Sequence, residues 1–400
     1  MNAKCHAAII TVALSLGCQT SNIRNSQAHG GNGIEGELPQ NLDLGTPRDF
    51  KIAFIGDQGV RQDSKDVLAL IKSEGANAVL HQGDFDYNDN ANDWMNQINQ
   101  YLGDATTIPY LVSSGNHDQS ALNNYQAKYV ERLNQYNASK PDEQKVYCTG
   151  EALVDQSCIF GGIYMIFSGI GSIGGSSQKQ EHLDYLRQSL SSTVARDSVW
   201  KICSWHKNQH LMQVGGKSDE TGWEVYEACR DDGAIIATGH EHSYSRTHLL
   251  SNMENQTVAS TSSVLDISSG KTFAFVSGLG GQGIRDQEVF TTDHFASIYT
   301  SNQGAKSGAL FCTFNADGIP NKAICKFINI DHEVIDEFTI ISKNGAGHSV
   351  TRANALAKRV ALGTRSPFRN PPNIEVKTKL IPFERVGETT EGGDHDNERQ

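Results

Sequence analysis

Basic residues are scarce in this 400-residue chain, which has 34 Lys and Arg against 46 Asp and Glu and a formal net charge of -12 at pH 7. Proteins that bind nucleic acids or anionic membranes in general use Lys and Arg to displace counterions. The composition therefore predicts no nucleic-acid binding. It does not exclude a locally positive pocket built around metal ions, because a bound cation is often the largest charge in its site.

The apolar run at the N-terminus, residues 7–16, is too short to cross a bilayer and follows the positive residue Lys4. This arrangement is typical of an export signal. The segment Leu14-Ser-Leu-Gly-Cys18 resembles a bacterial lipobox, although Ser15 stands where an aliphatic residue is usual. We expect an export signal at residues 1–18, with Cys18 as a candidate lipid anchor. The product would be periplasmic, an outer-surface lipoprotein or secreted; the alternative is a fortuitously apolar N-terminus on a cytosolic protein.

The sequence has no Cys-x-x-Cys pair and no Cys/His spacing of the kind that holds zinc. Six cysteines follow Cys18, and an even count in an exported chain indicates disulfides. Short separations favour the pairs 148–158 and 312–325 among the 15 connectivities that six cysteines allow. Cys203 and Cys229 are expected either to form a bridge or to be two buried thiols.

No internal repeat is evident, and composition divides the chain into three parts after the signal. Residues 19–48, rich in Ser, Asn, Gln and Gly, predict a flexible tether. Residues 49–343 carry nearly all the periodic pattern and predict one folded domain. Residues 344–400 predict a partly disordered extension, with a further strand or two within 373–386.

Apolar, β-branched runs predict buried strands along the domain. They lie at 51–55, 78–82, 108–113, 163–167, 199–204, 234–238, 272–277 and 309–314, with two more at 324–330 and 334–341. Helical stripes alternate with the early runs, at 67–71, 94–102, 183–190 and 223–229. Strands that alternate with helices indicate an α/β protein.

Five of these runs lead directly into short turns full of metal-binding side chains. In open α/β sheets, ligands bind beyond the carboxyl ends of the strands. Carboxylate, phenol, amide and imidazole groups suit Fe, Mn or Zn, and no thiolate is among them. No single turn of this kind is specific for a metal site, but the five turns together offer a complete set of ligands for two metals. The turns read Gly56-Asp57-Gln58-Gly59, Gly83-Asp84-Phe85-Asp86-Tyr87, Gly115-Asn116-His117-Asp118, Trp205-His206 and Gly239-His240-Glu241-His242.

This order of blocks resembles the calcineurin-like metallophosphoesterase superfamily, whose motifs are D-x-H, G-D, G-N-H-[D/E], a lone His and G-H-x-H. Two linked departures resemble the purple acid phosphatases in particular. Gly59 stands where the wider superfamily has a ligand His, and Tyr87 stands where a replacement ligand is needed. The segment from Gly239 to Arg246 also resembles the family's extended G-H-x-H-x-Y-x-R block. One further departure is Cys203, which occupies a position where Val is usual.

The resemblance implies a role for each motif residue. Asp57, Tyr87 and His242 would hold the first metal, expected to be Fe(III). Asn116, His206 and His240 would hold the second, expected to be Fe(II), Zn or Mn. Asp84 would bridge the two, and a metal-bound hydroxide would attack the phosphorus. These ligands stand at 57, 84, 87, 116, 206, 240 and 242.

Three further residues would act on the substrate. His117 would protonate the leaving group, and Asp118 would orient His117. His210 is a less closely aligned candidate for facing the phosphate; the alternative is a solvated loop His. Lys207 is expected to contact either phosphate or solvent, His81 to be a core residue, and Glu241 not to bind metal.

The resemblance also implies a four-layer α/β/β/α sandwich with two mixed sheets, of the small single-domain type. The leading functional prediction is hydrolysis of a small phosphate monoester. One alternative is a phosphodiesterase or nucleotide pyrophosphatase on the same metal site, and another is a non-catalytic binding protein of the same fold. The oligomeric state is left open.

Overall fold

The computed structural model describes residues 33–34 and 43–345. The predicted export signal, the candidate anchor Cys18, most of the tether and nearly all of the C-terminal extension lie outside these residues. None of the helices in the described part combines the length and apolar character that crossing a membrane requires.

The described strands form two large sheets and one small two-stranded sheet. In chain order the strands are β1 Gly33–Ile34, β2 Phe50–Ile55, β3 Ala78–Gln82, β4 Tyr110–Ser113, β5 Tyr147–Glu151, β6 Asp155–Phe160, β7 Ile163–Ser168, β8 Trp200–Ser204, β9 Ile235–Thr238, β10 Tyr244–Thr247, β11 Leu249–Asn252, β12 Thr257–Ser260, β13 Val264–Ile267, β14 Ala274–Ser277, β15 Phe295–Tyr299, β16 Gly308–Phe314, β17 Lys322–Asn329 and β18 Val334–Ser342. The larger sheet has the order β1-β5-β6-β7-β8-β9-β14-β10-β15, and the other has the order β13-β18-β17-β16-β2-β3-β4. Strands β11 and β12 form the small sheet.

The helices lie on the outer faces of the two large sheets. They are α1 Gln62–Ser73, α2 Ala91–Tyr101, α3 Leu122–Ala138, α4 Gly175–Leu190, α5 Thr193–Asp197 and α6 Glu224–Asp231, with short 3-10 helices at Asn116–Ala121, Asp142–Gln144, His210–Met212, Ser301–Gln303 and Ala316–Gly318. Helices α1, α2 and α3 pack with the seven-stranded sheet, whereas α4 and α6 pack with the nine-stranded sheet. The predicted four-layer α/β/β/α sandwich with two mixed sheets is therefore confirmed.

The alternation of side chains along β7 explains why its residues form an unbroken apolar run. Met165 and Phe167 join the core that the two sheets share. Tyr164 and Ile166 pack on the other face with Leu186 of α4. A parallel strand buried on both faces reads as continuous hydrophobic sequence, which is why such runs predict strands well. All eight early strand predictions and the two late ones are confirmed within one or two residues at each end.

Parallel pairing places the carboxyl ends of five strands on one side of the molecule. Strands β2, β3 and β4 are parallel neighbours in the seven-stranded sheet. Strands β8 and β9 are parallel neighbours in the nine-stranded sheet, next to the equally parallel β14. Gly56, which follows β2, donates its N–H to the carbonyl oxygen of Ser277 at the end of β14, at 2.8 Å. This bond joins the two sheets at their carboxyl ends.

Three disulfides are formed in the described residues. Cys148 and Cys158 are directly opposite in the β5–β6 pair, and Cys312 and Cys325 are directly opposite in the β16–β17 pair. Both predictions from spacing are confirmed. The third bridge joins Cys203 of β8 to Cys229 of α6, so the bridge is the correct one of the two alternatives. It also explains why a cysteine occupies the position where the resemblance expects Val.

Candidate metal centre

Four of the predicted ligands have left-handed backbone conformations, which L-residues other than glycine rarely adopt. The φ angles are 58° at Asp57, 60° at Asp84, 61° at Tyr87 and 69° at His240. Such conformations cost on the order of 1–3 kcal/mol each and persist only where neighbouring structure imposes them. Here the turns after β2 and β3 are joined by consecutive backbone hydrogen bonds, including Asp57 N–H to Gly83 at 3.0 Å. Predicted ligands account for four of the eleven non-glycine residues with this conformation in the described part of the chain.

The first group of ligand atoms consists of side chains from Asp57, Tyr87 and His242. The Tyr87 hydroxyl lies 3.1 Å from Oδ1 of Asp57 and 3.0 Å from Nε2 of His242. His242 Nε2 in turn lies 3.4 Å from Asp57 Oδ1. The three atoms therefore form a tight triangle, and the residues come from the turns after β2, β3 and β9.

The second group surrounds Nε2 of His206, which follows β8. This nitrogen lies 3.2 Å from Oδ2 of Asp84, 3.2 Å from Oδ1 of Asn116 and 3.1 Å from Nδ1 of His240. Among the described residues, Asp84, His206 and His240 form the one His/Cys/Asp/Glu cluster with metal-ligand spacing. All seven predicted ligands thus lie in two compact groups.

The chemistry of the second group fits a cation. Nδ1 of His206 is 2.6 Å from the carbonyl oxygen of Gln82, and a carbonyl can only accept, so this nitrogen carries a proton and Nε2 is the ring atom left to bind a cation. His240 likewise directs Nε2 at Glu220, 2.9 Å away, which leaves Nδ1 to face the group. Two ring nitrogens, an amide oxygen and a carboxylate then converge, an arrangement that a metal ion satisfies.

The chemistry of the first group also fits a cation. Nδ1 of His242 lies 2.7 Å from the carbonyl oxygen of Gly283, so its Nε2 faces Asp57 and Tyr87 as an acceptor. Burial raises the pKa of Tyr87 well above its usual value, and the nearby charges of Asp57 and Asp84 raise it further. A strongly Lewis-acidic ion is therefore needed to bind this oxygen as a phenolate.

Asp84 lies between the two groups. Besides its contact with His206, its carboxylate is a neighbour of the Tyr87 hydroxyl, and its Oδ1 accepts a hydrogen bond from the His117 N–H at 3.0 Å. Burial alone raises the pKa of Asp84, but the imidazoles of His206, His117 and His240 outweigh it and hold the pKa below the usual range. Burial lowers the pKa of His206, but the charge of Asp84 raises it to about 9. A cation that binds here must therefore displace a proton.

His117 is half-buried and borders the first group. Its ring centroid lies 4.6 Å from that of Tyr87, at an interplanar angle of 41°. Its backbone N–H, not its ring, bonds Asp84. The imidazole is thus held next to the candidate ligands without being used as one.

Asp118 has a different partner from the predicted one. Its buried carboxylate accepts three backbone hydrogen bonds, from Asp84 at 2.9 Å, from Phe85 at 2.8 Å and from Gly115 at 2.6 Å. Among the described residues no hydrogen bond joins it to the His117 ring. The structure does not show the expected contact between Asp118 and the His117 ring; the Asp118 carboxylate instead holds the turn that carries Asp84, through its bonds with the N–H groups of Asp84 and Phe85.

The less closely aligned candidates lie around the centre. His210 is in a short 3-10 helix, with Nδ1 2.6 Å from the carbonyl oxygen of Lys217, and it joins neither ligand group. Lys207 contacts Glu220, which is neither of the two partners expected. Glu241 is buried 3.8 Å from Arg285 and is outside both groups, as expected. His81 is a buried core residue, and burial lowers its pKa to about 3.

Sequence reasoning missed two side chains that hold the centre together. Asp86 accepts hydrogen bonds from the N–H groups of Asn88 at 3.0 Å and Asn90 at 2.9 Å, and so shapes the turn that carries Tyr87. Glu220 lies against His240 from an irregular loop. The spacing of Asp86 within the second block could have suggested an Asx turn; nothing near Glu220 resembles a motif.

The model of the calcineurin-like phosphoesterase family matches residues 50–244, a range that contains all seven candidate ligands. Residues 50–244 therefore carry a domain of the calcineurin-like phosphoesterase family. None of the curated proteins matches the chain.

Similar solved structures include a purple acid phosphatase from yellow lupin (Lupinus luteus) seeds, at 14% identity and a TM-score of 0.49. That match covers 73% of this chain and 53% of the lupin chain, so this chain spans about half the length of the lupin protein. GAP50, the anchor in the inner membrane complex of Plasmodium, matches at 15% identity and a TM-score of 0.51, over 81% of this chain and 99% of its own. At these identities the likeness is one of fold alone.

Proposed function

We propose that this chain hydrolyses small phosphate monoesters with a pair of cations. The first cation would be held by Asp57, Tyr87 and His242, and the second by Asn116, His206 and His240, with Asp84 between them. The observation that most supports this proposal is the position of Tyr87, whose hydroxyl lies 3.0 Å from His242 and 3.1 Å from Asp57. A phenol oxygen there supplies a metal ligand that Gly59, which has no side chain, cannot supply.

The donor sets favour Fe(III) in the first group and Fe(II), Zn or Mn in the second. Phenol and carboxylate oxygens suit a hard trivalent ion, whereas a set richer in imidazole suits a borderline divalent ion. When bound, such a pair supplies Lewis acidity and an acidified water for in-line attack on phosphorus.

The side chains of this protein would perform the remaining tasks. Asp84, His206 and His240 would hold the second cation, with the ring of His206 fixed by the carbonyl oxygen of Gln82 and that of His240 by Glu220. His117, half-buried and beside Tyr87, is the group available to protonate the leaving oxygen. Rigid support of this kind allows the site to favour the transition state over the substrate.

We further propose that the protein is exported, with Cys18 as its candidate lipid anchor. The three disulfides support an oxidising compartment, because such bridges are rare in proteins of reducing compartments. Intact-mass analysis of the cell-derived protein tests this part of the proposal. A diacylglyceryl mass on a chain that begins at residue 18 would support the anchor, and an unprocessed chain with free thiols would contradict export.

Hydrolysis of an aryl phosphomonoester should be compared with that of the matching diester, using the purified protein loaded with Fe and then with Zn or Mn. The matched control is Asp84→Asn, which keeps the size of the side chain but removes the charge between the two groups. Strong monoester preference that is lost in Asp84→Asn would support the proposal. Diester preference would make the protein a phosphodiesterase on the same centre. Two bound metals without activity on either would favour a non-catalytic binding protein.

A further inference from the structure

Glu220 lies in the irregular loop between β8 and α6, yet it is linked through Asn208 to both ligand-bearing turns of the nine-stranded sheet. Its N–H donates to the carbonyl oxygen of Asn208 at 3.1 Å, two residues after His206. The side-chain amide of Asn208 donates to the carbonyl oxygen of Gly239, next to His240, at 2.7 Å. Glu220 is therefore located by the same segments that present the second ligand group.

The loop around Glu220 is also held locally. Oδ1 of Asp219 accepts hydrogen bonds from the N–H groups of Thr221 at 3.1 Å and Gly222 at 2.7 Å, which turn the chain just beyond Glu220. The hydroxyl of Tyr226 in α6 donates to Oδ1 of Asn208 at 3.1 Å. A loop fixed at so many points can hold a side chain in one orientation.

The carboxylate of Glu220 contacts one residue with each of its oxygens. Oε2 lies 2.9 Å from Nε2 of His240, and Oε1 contacts the ammonium of Lys207. The side chains of Lys207 and Glu220 are only 16% and 22% exposed, so water screens these contacts little. Neither residue reaches the candidate ligand atoms of the second group directly.

His240 differs from the other two candidate ligand histidines in the nitrogen it presents. His206 and His242 bond backbone carbonyls through Nδ1 and present Nε2. His240 presents Nδ1, 3.1 Å from His206, and so needs an acceptor at Nε2. The group at that place is Glu220, whose Oε2 lies 2.9 Å away, and a carboxylate oxygen can accept a hydrogen bond from Nε2–H and so fix the tautomer.

We propose that Glu220 is the positioning residue that makes Nδ1 of His240 the ligating atom of the second cation site, and that Lys207 keeps Glu220 in that role. The ammonium of Lys207 occupies the other carboxylate oxygen and offsets its charge. Without Lys207, the carboxylate is free to rotate towards the cation. This inference rests on the proposed metal centre.

The test is a calorimetric titration of the metal-free protein with Zn²⁺ alone, which measures the number of ions bound and their affinities. Wild type should bind two ions. Glu220→Ala should bind one ion as wild type does and the other about 10–100-fold more weakly, the usual effect of removing such a partner. Glu220→Gln should bind this ion more tightly than Glu220→Ala does, because an amide oxygen can still accept a hydrogen bond from Nε2–H. Glu224→Ala is the matched control, an exposed carboxylate four residues away that should change neither affinity.

A second readout separates positioning from general stability. In the zinc-loaded protein, nitrogen-15 NMR of labelled histidine should place the His240 proton on Nε2. Lys207→Met should weaken the binding of the same ion whose affinity falls in Glu220→Ala. Equal affinity of wild type and Glu220→Ala, or a His240 proton on Nδ1, would overturn the role of Glu220 alone. A wild-type protein that binds no second ion would overturn both this role and the proposed centre.

Discussion

Tyr87 is the single residue on which the nature of the first ligand group depends. Its ring packs 4.6 Å from that of His117, and its hydroxyl reaches Asp57 and His242. The ring therefore supports packing, whereas the hydroxyl supports the chemistry. The two contributions can be separated by removing one oxygen atom.

For Tyr87→Phe, we expect an iron-loaded protein without the visible absorption band of the wild type, and a fold that is retained. Loss of the hydroxyl removes the phenolate donor but leaves the ring, so the free energy of unfolding should fall by about 1 kcal/mol. Absorption spectra at equal iron content and urea unfolding provide the measurements. Tyr147→Phe, a partly exposed tyrosine away from the centre, is the control. A colourless wild type with iron bound would exclude Tyr87 as a ligand.

For His117→Ala, we expect turnover to fall about 10²–10⁴-fold, the usual contribution of a positioned proton donor, while metal content stays near that of the wild type. The reason is that His117 supports Asp84 through its backbone N–H, which alanine keeps. Turnover and metal analysis on the same samples distinguish the two effects. A parallel loss of metal and turnover would assign His117 to the structure of the centre instead. The exposed neighbour Gln119→Ala should behave as the wild type.

The grouping of the seven candidate ligands could be predicted because each follows a strand with a clear apolar run, and because the linked change at Gly59 and Tyr87 is specific. Glu220 could not be predicted, since it is brought to His240 by an irregular loop rather than by a strand end. The partners of Asp118 could not be predicted either, because they are backbone N–H groups, which leave no trace in the sequence.

Among the larger elements, helix α3 was not predicted, and the composition of its buried face explains why. Its buried face includes Tyr125, Tyr129, Arg132 and Tyr136, so the face that packs is aromatic and partly polar rather than aliphatic. Strand β10 was missed for a related reason, because its buried residues include Ser245 and Arg246. Periodicity detects an element only when its buried face is apolar.

Helix α4 is joined to the nine-stranded sheet through His182. Nδ1 of this residue lies 2.8 Å from Asp155 of β6, and Nε2 lies 3.0 Å from the carbonyl oxygen of Ile173. Both partners can only accept, so the folded protein favours the doubly protonated ring. Burial lowers the pKa of His182, but the hydrogen bond and charge of Asp155 outweigh it and raise the pKa above 6.5.

This raised pKa predicts a pH-dependent contribution to stability. The folded state binds the proton more tightly, so the stabilisation is fully present below about pH 6.5 and is lost as the pH rises through the raised value. The difference in free energy of unfolding between wild type and His182→Asn should therefore shrink with increasing pH. Urea unfolding at several pH values measures it, with the exposed His332→Asn as control. A difference that grows with pH would contradict the charged assignment.

At the scale of the whole molecule, one buried ion pair links the two large sheets. Nε and Nη2 of Arg246 in β10 donate to the carboxylate of Asp336 in β18, at 2.6 and 2.9 Å, and the Tyr244 hydroxyl donates to it at 2.7 Å. Arg246 also lies 4.1 Å over the ring of Phe338. Tyr244 and Arg246 of the extended fifth block thus serve the assembly of the sheets.

Asp336→Asn should lower the free energy of unfolding by about 3–5 kcal/mol, because it leaves the buried guanidinium of Arg246 without a charged partner. The control is Asp331→Asn, whose pair with Lys306 is about half exposed and should contribute much less to the free energy of unfolding, because solvent screens it. Denaturant unfolding of the two variants measures both. Similar values for the two would mean that the pair does not hold the sheets together.

Each ligand group draws on both large sheets. Asp57, Asp84, Tyr87 and Asn116 follow strands of the seven-stranded sheet, whereas His206, His240 and His242 follow strands of the nine-stranded sheet. During synthesis the last ligand is made only after more than half of the chain, and β16, the partner of β2, comes later still. A half-made chain therefore has no complete cage with which to capture an ion. On the proposed function, metal loading would therefore have to follow the pairing of the two sheets, because an unfolded chain has no assembled centre.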